Sequence, residues 1–358
     1  MEKRNKIAIV TSHHYPNYGN KLQNFALQTI LCRMGFDVET ISDVRSWPDM
    51  WSYVSNWKVF IHLLSGYRKT TFHEKMLKFI KFSKAWITKS PYVIRKDSDA
   101  NLLCDKYDYF VVGSDQIWNP EWPIFSNSFG FAEFARKEQK IAYAPSIGVS
   151  DMIPERVEEY RHWLSNWKAL SCREHEGAKI IEELSLQKVA TVLDPTLLLS
   201  REEWDNYVGD RLIHEKYVLF YSIWKLDVHS LQTLEERTKK LGCKLVDISN
   251  KGAYDGCYNP FDFANLIKYA EEIYTDSFHG ACFSILYHRP MIIIRATNTG
   301  MDKMSRLATL FTHAGIENKS FSNILNEVNH IDWELVDQNI AVQRAHSKRY
   351  LQSNLLDN

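Results

Sequence analysis

The sequence predicts an α/β protein built from two doubly wound domains. Three observations lead there. Short apolar strand runs alternate with helical stretches along nearly the whole chain, several of those runs lack a polar alternate as strands buried on both faces do, and the alternation starts afresh after "DPTLLLS" (194–200). With 358 residues, 45% of them hydrophobic and 25% charged, the chain can bury two cores, and a prior of ~150 residues per domain favours that number.

The first series of strands reads "KIAIVTS" (6–12), "DVETIS" (37–42), "YDYFVVGS" (107–114), "KIAYAPS" (140–146), "ALSCRE" (169–174) and "KVATVLD" (188–194). Between the first two, "NKLQNFALQTILCRMG" places Leu22, Phe25, Ala26 and Ile30 near helical spacing and stops on Gly35. The second series predicts strands near 216–223, 244–248, 272–276 and 291–295, with helices near 228–241, 261–270, 278–288 and 302–314. The expected organisation is a first domain over 1–200, a second over 201–325, and a C-terminal helix within 326–358 packed on the body.

An insertion over 45–100 interrupts the alternation. Residues 56–96 hold ten Lys or Arg against one acid, Glu74, and "FHEKMLKFIKFSKAWI" spaces its apolar residues helically between Lys75, Lys78, Lys81 and Lys84. Either this amphipathic helix packs its apolar side on the first domain, or it offers a surface to anionic lipid or a lipid-linked substrate.

Charge and cysteines narrow the class. Forty-four basic and 44 acidic side chains cancel, so nothing in the balance supports a nucleic-acid partner. The six cysteines form no C-x-x-C pair and read as reduced thiols of a cytosolic protein. The apolar run at the start is too short for a signal peptide, and no window approaches the ~18 apolar residues of a membrane span.

The chemistry concentrates at strand ends. P-loop, zincin, serine-hydrolase and G-x-G-x-x-G patterns are all missing. In "TDSFHGACFSILYHRPMIII" (275–294) a strand gives way to a helix at His279-Gly280. Carboxyl ends of strands in open α/β sheets face the ligand crevice, and a helix starting there directs free N–H groups and a positive dipole end at its occupant. His279 is therefore placed to meet an anion, with Gly280 expected to keep the helix start clear; the alternative is a cap or core histidine. In "SHHYPNYGNKLQNFALQ" (12–28), Gly19 allows a tight turn before a helix that Asn20 is expected to cap, and His13, His14 and Asn17 supply further polar groups. "GSDQIWNP" (113–120) sets Asp115 and Gln116 just past another strand end, where Asp115 either reaches the crevice or closes its own Asx turn. The "DSD" at 97–99 follows no apolar strand and reads as a solvated loop rather than a metal site.

Six blocks, "NYGNKLQNFALQ", "VVGSDQIWNP", "IAYAPSIG", "LSCREHEGAKII", "VLDPTLLLS" and "DSFHGACFSILYHRP", stand in that order over residues 17–290, and together they resemble the polysaccharide pyruvyl transferase family. The resemblance implies the two-Rossmann, GT-B-like architecture. It also implies transfer of pyruvate from phosphoenolpyruvate to a sugar of a bacterial-type surface polysaccharide or its lipid-linked precursor, as a ketal. Many members carry Arg two positions before the motif histidine, where this chain has Ser277. Phosphoenolpyruvate needs two or three cationic partners. Arg173, which aligns with a family arginine, and Arg295, Lys303 and Arg306, on one edge of the second sheet, are the candidates. The expected roles are proton delivery and donor binding for His279 and proton acceptance for Asp115. Ser277 and Gly280 join the donor side; His13, Asn17, Gly19, Asn20 and Gln116 form the acceptor side. No metal or cofactor enters this expectation, and the partner is a saccharide acceptor, free or lipid-linked, joined by the inner face of an anionic membrane only on the second reading of the insertion. Two rival readings are a glycosyltransferase using a nucleotide sugar and a non-catalytic saccharide-binding protein.

Overall fold

The computed structural model describes residues 5–12, 16–43, 71–223, 228–249, 257–294, 304–316 and 331–356. The expectations for His13, His14, Arg295 and Lys303, and for residues 45–70 of the insertion, lie outside the described residues.

The first lobe runs β1 (Lys6–Val10), α1 (Tyr18–Arg33), β2 (Asp37–Asp43), α2 (Thr71–Trp86), β3 (Lys89–Ile94), α3 (Asp97–Asn101), β4 (Tyr109–Val112), β5 (Lys140–Ala142), α4 (Val157–Leu164), β6 (Leu170–Cys172), α5 (His175–Ser185) and β7 (Val189–Thr191). Its sheet has the order β3-β2-β1-β4-β5, all parallel. The parallel pair β6-β7 continues beside β5, where Ala142 N donates to Ala169 O (3.0 Å) and Lys168 N to Lys140 O (3.1 Å). The second lobe runs α6 (Arg201–Val208), β8 (Tyr217–Tyr221), α7 (Val228–Lys240), β9 (Lys244–Asp247), α8 (Pro260–Tyr269), β10 (Glu272–Thr275), α9 (Phe278–Leu286), β11 (Met291–Ile293) and α10 (Met304–Ala314), followed by α11 (Trp333–Leu355). Its parallel sheet has the order β11-β10-β8-β9. Strand order reverses between β1 and β4 in one sheet and between β8 and β10 in the other, and such switch points are where crevices open.

Side-chain alternation sorts these strands between layers. Ile7, Ile9, Tyr109 and Val111 face a core shared with Tyr217, Leu219, Tyr221 and Ile273 of the second lobe. Their neighbours Ala8, Val10, Phe110 and Val112 face an outer core of the first lobe, and Val218, Phe220 and Tyr274 an outer core of the second. With both faces buried, several of the strands, β4 and β8 among them, carry no charged alternate, which is the pattern the sequence displays.

The insertion helix belongs to the shared core. Phe79 lies against Tyr18 (5.1 Å between ring centroids), Phe82 against Phe261 of α8 (4.8 Å) and Trp86 against Tyr207 of α6 (5.6 Å). Lys75, expected on the cationic face, is buried instead with Nζ 4.7 Å from the Tyr18 ring centroid, and burial pulls its ammonium down to about 8. Lys78 reaches Asp262 (3.6 Å) and the Cys257 carbonyl, while Lys81 and Lys84 stay exposed. The apolar side of α2 thus packs on both lobes rather than on the first alone. At 97–99, α3 begins, and Asp99 Oδ2 accepts from Arg95 N (2.9 Å) and Lys96 N (3.2 Å) as a cap.

The edge strand β3 was not expected. Pro91 within it has no N–H to donate and is tolerated because only β2 pairs with this strand. The C-terminal helix returns to the first lobe: Arg344 Nε donates to Leu197 O (2.7 Å), Leu193 N to Ser347 Oγ (2.9 Å) and Tyr350 OH to Ala142 O (2.9 Å). Among the described residues no helix is long and apolar enough to cross a membrane.

Candidate active site

The carboxyl ends of β1, β4, β6 and β7 meet the start of α9 at the junction of the lobes. Asn17, extended at φ −105°, caps α1 by accepting from Asn20 N (3.1 Å), so the helix starts at Tyr18 and Asn20 lies inside its first turn. Asn20 is thereby free for another task. Its Nδ2 donates to Ser12 O and Ser12 Oγ (3.0 Å) and stands 3.4 Å from Asp115 Oδ2, and its buried Oδ1 has no hydrogen-bond partner. Gly19 faces the second lobe: a Cβ there would stand 2.7 Å from His279 Cβ and closer still to the imidazole ring. Its absence of a side chain permits close approach of the lobes, not the tight turn expected of it.

Past β4, Asp115 holds φ at 67°, and its Oδ1 accepts from Gln116 N (2.9 Å). Its carboxylate is 18% exposed and its Oδ1 lies 3.6 Å from Arg173 Nη2. Arg173 directly follows β6, with a side chain only 1% exposed. It donates from Nη1 to Asp194 Oδ2 (2.9 Å), and its guanidinium carbon stands 4.1 Å from the Phe278 ring centroid. Burial works against that charge, but Asp194 and Asp115 outweigh it and raise the guanidinium above its usual value.

Asp194, after β7, is the hub of the cluster. It accepts from Thr196 N (3.0 Å) and Thr196 Oγ1 (2.7 Å) on one oxygen, and from Ser114 Oγ (3.1 Å) and Arg173 Nη1 on the other. His279 Nε2 lies 3.4 Å from the same Oδ2 without forming a hydrogen bond. Burial would push this carboxyl up; His279, then Arg173 and Thr196, hold it instead well below the usual carboxylate range. On the second lobe, Ser277 caps α9 by accepting from Gly280 N (3.2 Å). A Cβ on Gly280 would stand 2.7 Å from Thr275 Oγ1, so that glycine fits the helix start onto its own strand rather than clearing room for a ligand. Asp276 ties the second switch point together, accepting from Ser222 Oγ (2.7 Å) and Ile223 N (2.7 Å).

Arg306 of α10 is buried beside the same group. With its amide oxygen turned that way, Gln116 accepts from Arg306 Nη2 (3.2 Å). Burial, followed by repulsion from Arg173, pulls Arg306 down to about 10. Glu174 completes the first-lobe side: its Oε1 accepts from Ser146 Oγ (3.0 Å), Ile147 N (2.8 Å) and Gly148 N (3.0 Å). Among the described residues, no group of three or more His, Cys, Asp or Glu is arranged to hold a metal ion.

The structure thus brings together Asn17, Gly19, Asn20, Asp115, Gln116, Arg173, Ser277, His279, Gly280 and Arg306, with Asn17, Ser277 and Gly280 serving local structure. Sequence reasoning missed Asp194, Glu174 and Phe278. The signal for Asp194 was available, since "KVATVLD" ends on it in the same strand-end position that singled out Asp115.

The model of the polysaccharide pyruvyl transferase family matches residues 17–298. No curated protein matches the chain. Among solved structures, a putative UDP-N-acetylglucosamine 2-epimerase from Listeria monocytogenes is similar at 9% identity, over 98% of this chain and 90% of that one, with a TM-score of 0.53. The S. aureus MnaA complex with UDP is similar at 11% identity, over 97% of this chain and 90% of that one, with a TM-score of 0.50. Likeness at such identity concerns the fold alone, and the fold is the two-lobed GT-B type. With the family match running from the cap of α1 through β11, the chain belongs to the polysaccharide pyruvyl transferase family.

Proposed function

We propose that the chain transfers pyruvate from phosphoenolpyruvate to two hydroxyls of a saccharide, forming a pyruvate ketal and releasing phosphate. One observation carries the reading: where the lobes meet, His279 Nε2, Arg173 Nε and Nη2, and Arg306 Nε are buried nitrogens with no hydrogen-bond partner. Buried polar atoms are nearly always hydrogen-bonded; His279 Nε2 and Arg173 Nη2 stand within ion-pair distance of Asp194 and Asp115, yet none of the four nitrogens makes a hydrogen bond, which suits a small anion with several oxygens.

The residues divide the chemistry as follows. His279 gives a proton to the methylene carbon of phosphoenolpyruvate, leaving an oxocarbenium-like carbon. A sugar hydroxyl oxygen bonds to that carbon while Asp115, the most exposed acid of the cluster, takes its proton. The carbon–oxygen bond to phosphate then breaks, Arg173 and Arg306 carry the leaving charge, and a second hydroxyl closes the ring. Two hydroxyl protons are lost in all; one ends on the new methyl group and one on phosphate. Asp194 and Glu174, whose hydrogen bonds are made within the first lobe, orient these groups. Family membership supports a saccharide acceptor, and the acceptor of this proposal is a surface polysaccharide or its lipid-linked precursor.

The test is direct. The purified protein, phosphoenolpyruvate and glycan from cells lacking the gene should yield inorganic phosphate and a glycan whose mass rises by one pyruvate ketal. Stabilisation by UDP-sugars with none by phosphoenolpyruvate would replace this reading with a glycosyltransferase.

A further inference from the structure

Phe278 opens α9 and is 6% exposed, and its neighbour Ser277 spends its hydroxyl on the Gly280 amide. This end of β10 therefore offers the junction an aromatic ring, over which the guanidinium carbon of Arg173 from the first lobe lies 4.1 Å from the centroid. We infer that Phe278 is a positioning residue for the donor: acting through Arg173, it fixes the plane in which that guanidinium meets its anion. The assignment rests on the proposed phosphoenolpyruvate donor.

The polar contacts of Arg173 leave that plane open. Nη1 donates to Asp194 Oδ2 (2.9 Å), which fixes one corner of the group but not its rotation about that corner. Asp115 Oδ1 attracts Nη2 from 3.6 Å without a hydrogen bond. Nε and Nη2, whose N–H bonds point the same way along one side of the fork, are both buried and make no hydrogen bond. Such an edge matches two oxygens of a carboxylate or a phosphate only when its plane is set. A cation over an aromatic face is held by the ring's quadrupole, and most strongly where water is excluded, as it is around a side chain 1% exposed. Phe278 supplies the constraint that Asp194 alone does not.

The same ring touches the reacting imidazole. The rings of Phe278 and His279 meet edge to face, with centroids 5.4 Å apart and planes at 89°. One side chain of the second lobe thus orients the first-lobe cation relative to the histidine that delivers the proton. An aliphatic residue would fill the space without holding a cation, and that difference separates this role from packing.

Phosphoenolpyruvate titrations and steady-state kinetics on the full chain test the assignment, with mono-, di- and trifluorinated phenylalanine in place of Phe278. Fluorine nearly keeps the ring's shape and withdraws the electron density that faces the cation, so packing is retained. The Kd and KM for phosphoenolpyruvate should rise stepwise along the series, by about fivefold or more at the trifluorinated ring, and KM should change more than kcat. Phe278→Leu should raise KM likewise in the parent, yet add little in an Arg173→Lys background, where the planar group is gone. Phosphoenolpyruvate binding that ignores the fluorinated series, or equal effects of Phe278→Leu in both backgrounds, would reduce Phe278 to packing and overturn the assignment alone. Phosphoenolpyruvate that fails to bind the parent would remove the donor reading, and the assignment with it.

Discussion

Gly19 and His279 meet across the junction of the two lobes with no room between them for a side chain; a Cβ on Gly19 would come within 2.7 Å of His279 Cβ. The first turn of the helix that follows the first strand of one sheet thereby fixes the imidazole that follows the third strand of the other. Gly19→Ala improves helix propensity by ~1 kcal/mol, but overpacking a buried contact costs ~1–3 kcal/mol. The contact should win: the melting temperature is expected to fall and phosphate release to drop by ~100-fold, the scale of a ~1 Å misplacement. A variant as stable and as active as the parent would show that the lobes are not in register through this contact.

Arg173 and Asp194 should prove strongly coupled. Removing one partner of a buried pair typically costs ~3–5 kcal/mol because the other charge is stranded. Arg173→Met and Asp194→Asn, each measured by urea unfolding, are expected to destabilise severely, while the double variant loses less than their sum, with a coupling of ~1–3 kcal/mol. Additive losses would mean that Arg173 answers mainly to Asp115. Arg173→Lys keeps the charge and loses the planar fork, so the KM for phosphoenolpyruvate should rise ~10-fold or more with a smaller loss of stability.

His313 sets the acid limit. It lies on α10 with its ring centroid 5.2 Å from that of His175, and burial first, then His175 and His346, pull its imidazole from 6.5 down to about 4. The folded protein therefore binds this proton more weakly than the unfolded chain. The associated stability is complete above pH 6.5 and is lost as pH falls toward about 4, by at most ~3 kcal/mol. Unfolding free energies measured from pH 7.5 to pH 4 should trace that loss, and His313→Gln should flatten it; an unchanged slope would place the acid-sensitive group elsewhere.

Helix α2 should behave as core. Phe79→Ala, at a fully buried ring packed on Tyr18, is expected to cost ~3–5 kcal/mol, whereas reversing the exposed Lys81 and Lys84 to Glu should leave stability nearly unchanged. Vesicles of anionic lipid provide the complementary check, since α2 has placed its aromatic face between the lobes. Salt-sensitive binding abolished by the two charge reversals would show that its lysines still meet a membrane.

Much of this arrangement was legible in the sequence because strand ends are local features. "KIAIVTS", "YDYFVVGS" and "YTDSFHG" each announce a buried strand yielding to a polar turn, and in parallel sheets such turns gather on one edge. Pro91 concealed β3, as the residue that weakens a strand signal is harmless at a sheet edge. The choice between Asn17 and Asn20 as cap depended on backbone dihedrals that neither side chain announces. The contacts least accessible to reading were those across the lobes. Gly19 against His279, Arg173 over Phe278 and Arg306 beside Gln116 join residues more than a hundred positions apart, and no local periodicity carries such pairings.

The most direct measurement compares phosphate release from phosphoenolpyruvate by the parent protein and by His279→Ala in the presence of acceptor glycan, with both folds verified by circular dichroism. The account predicts acceptor-dependent release by the parent and none detectable above background in the variant, with a parallel loss of ketal on the glycan. Near-parental turnover by the variant would contradict it, because the imidazole beside Asp194 would then have no part in the chemistry.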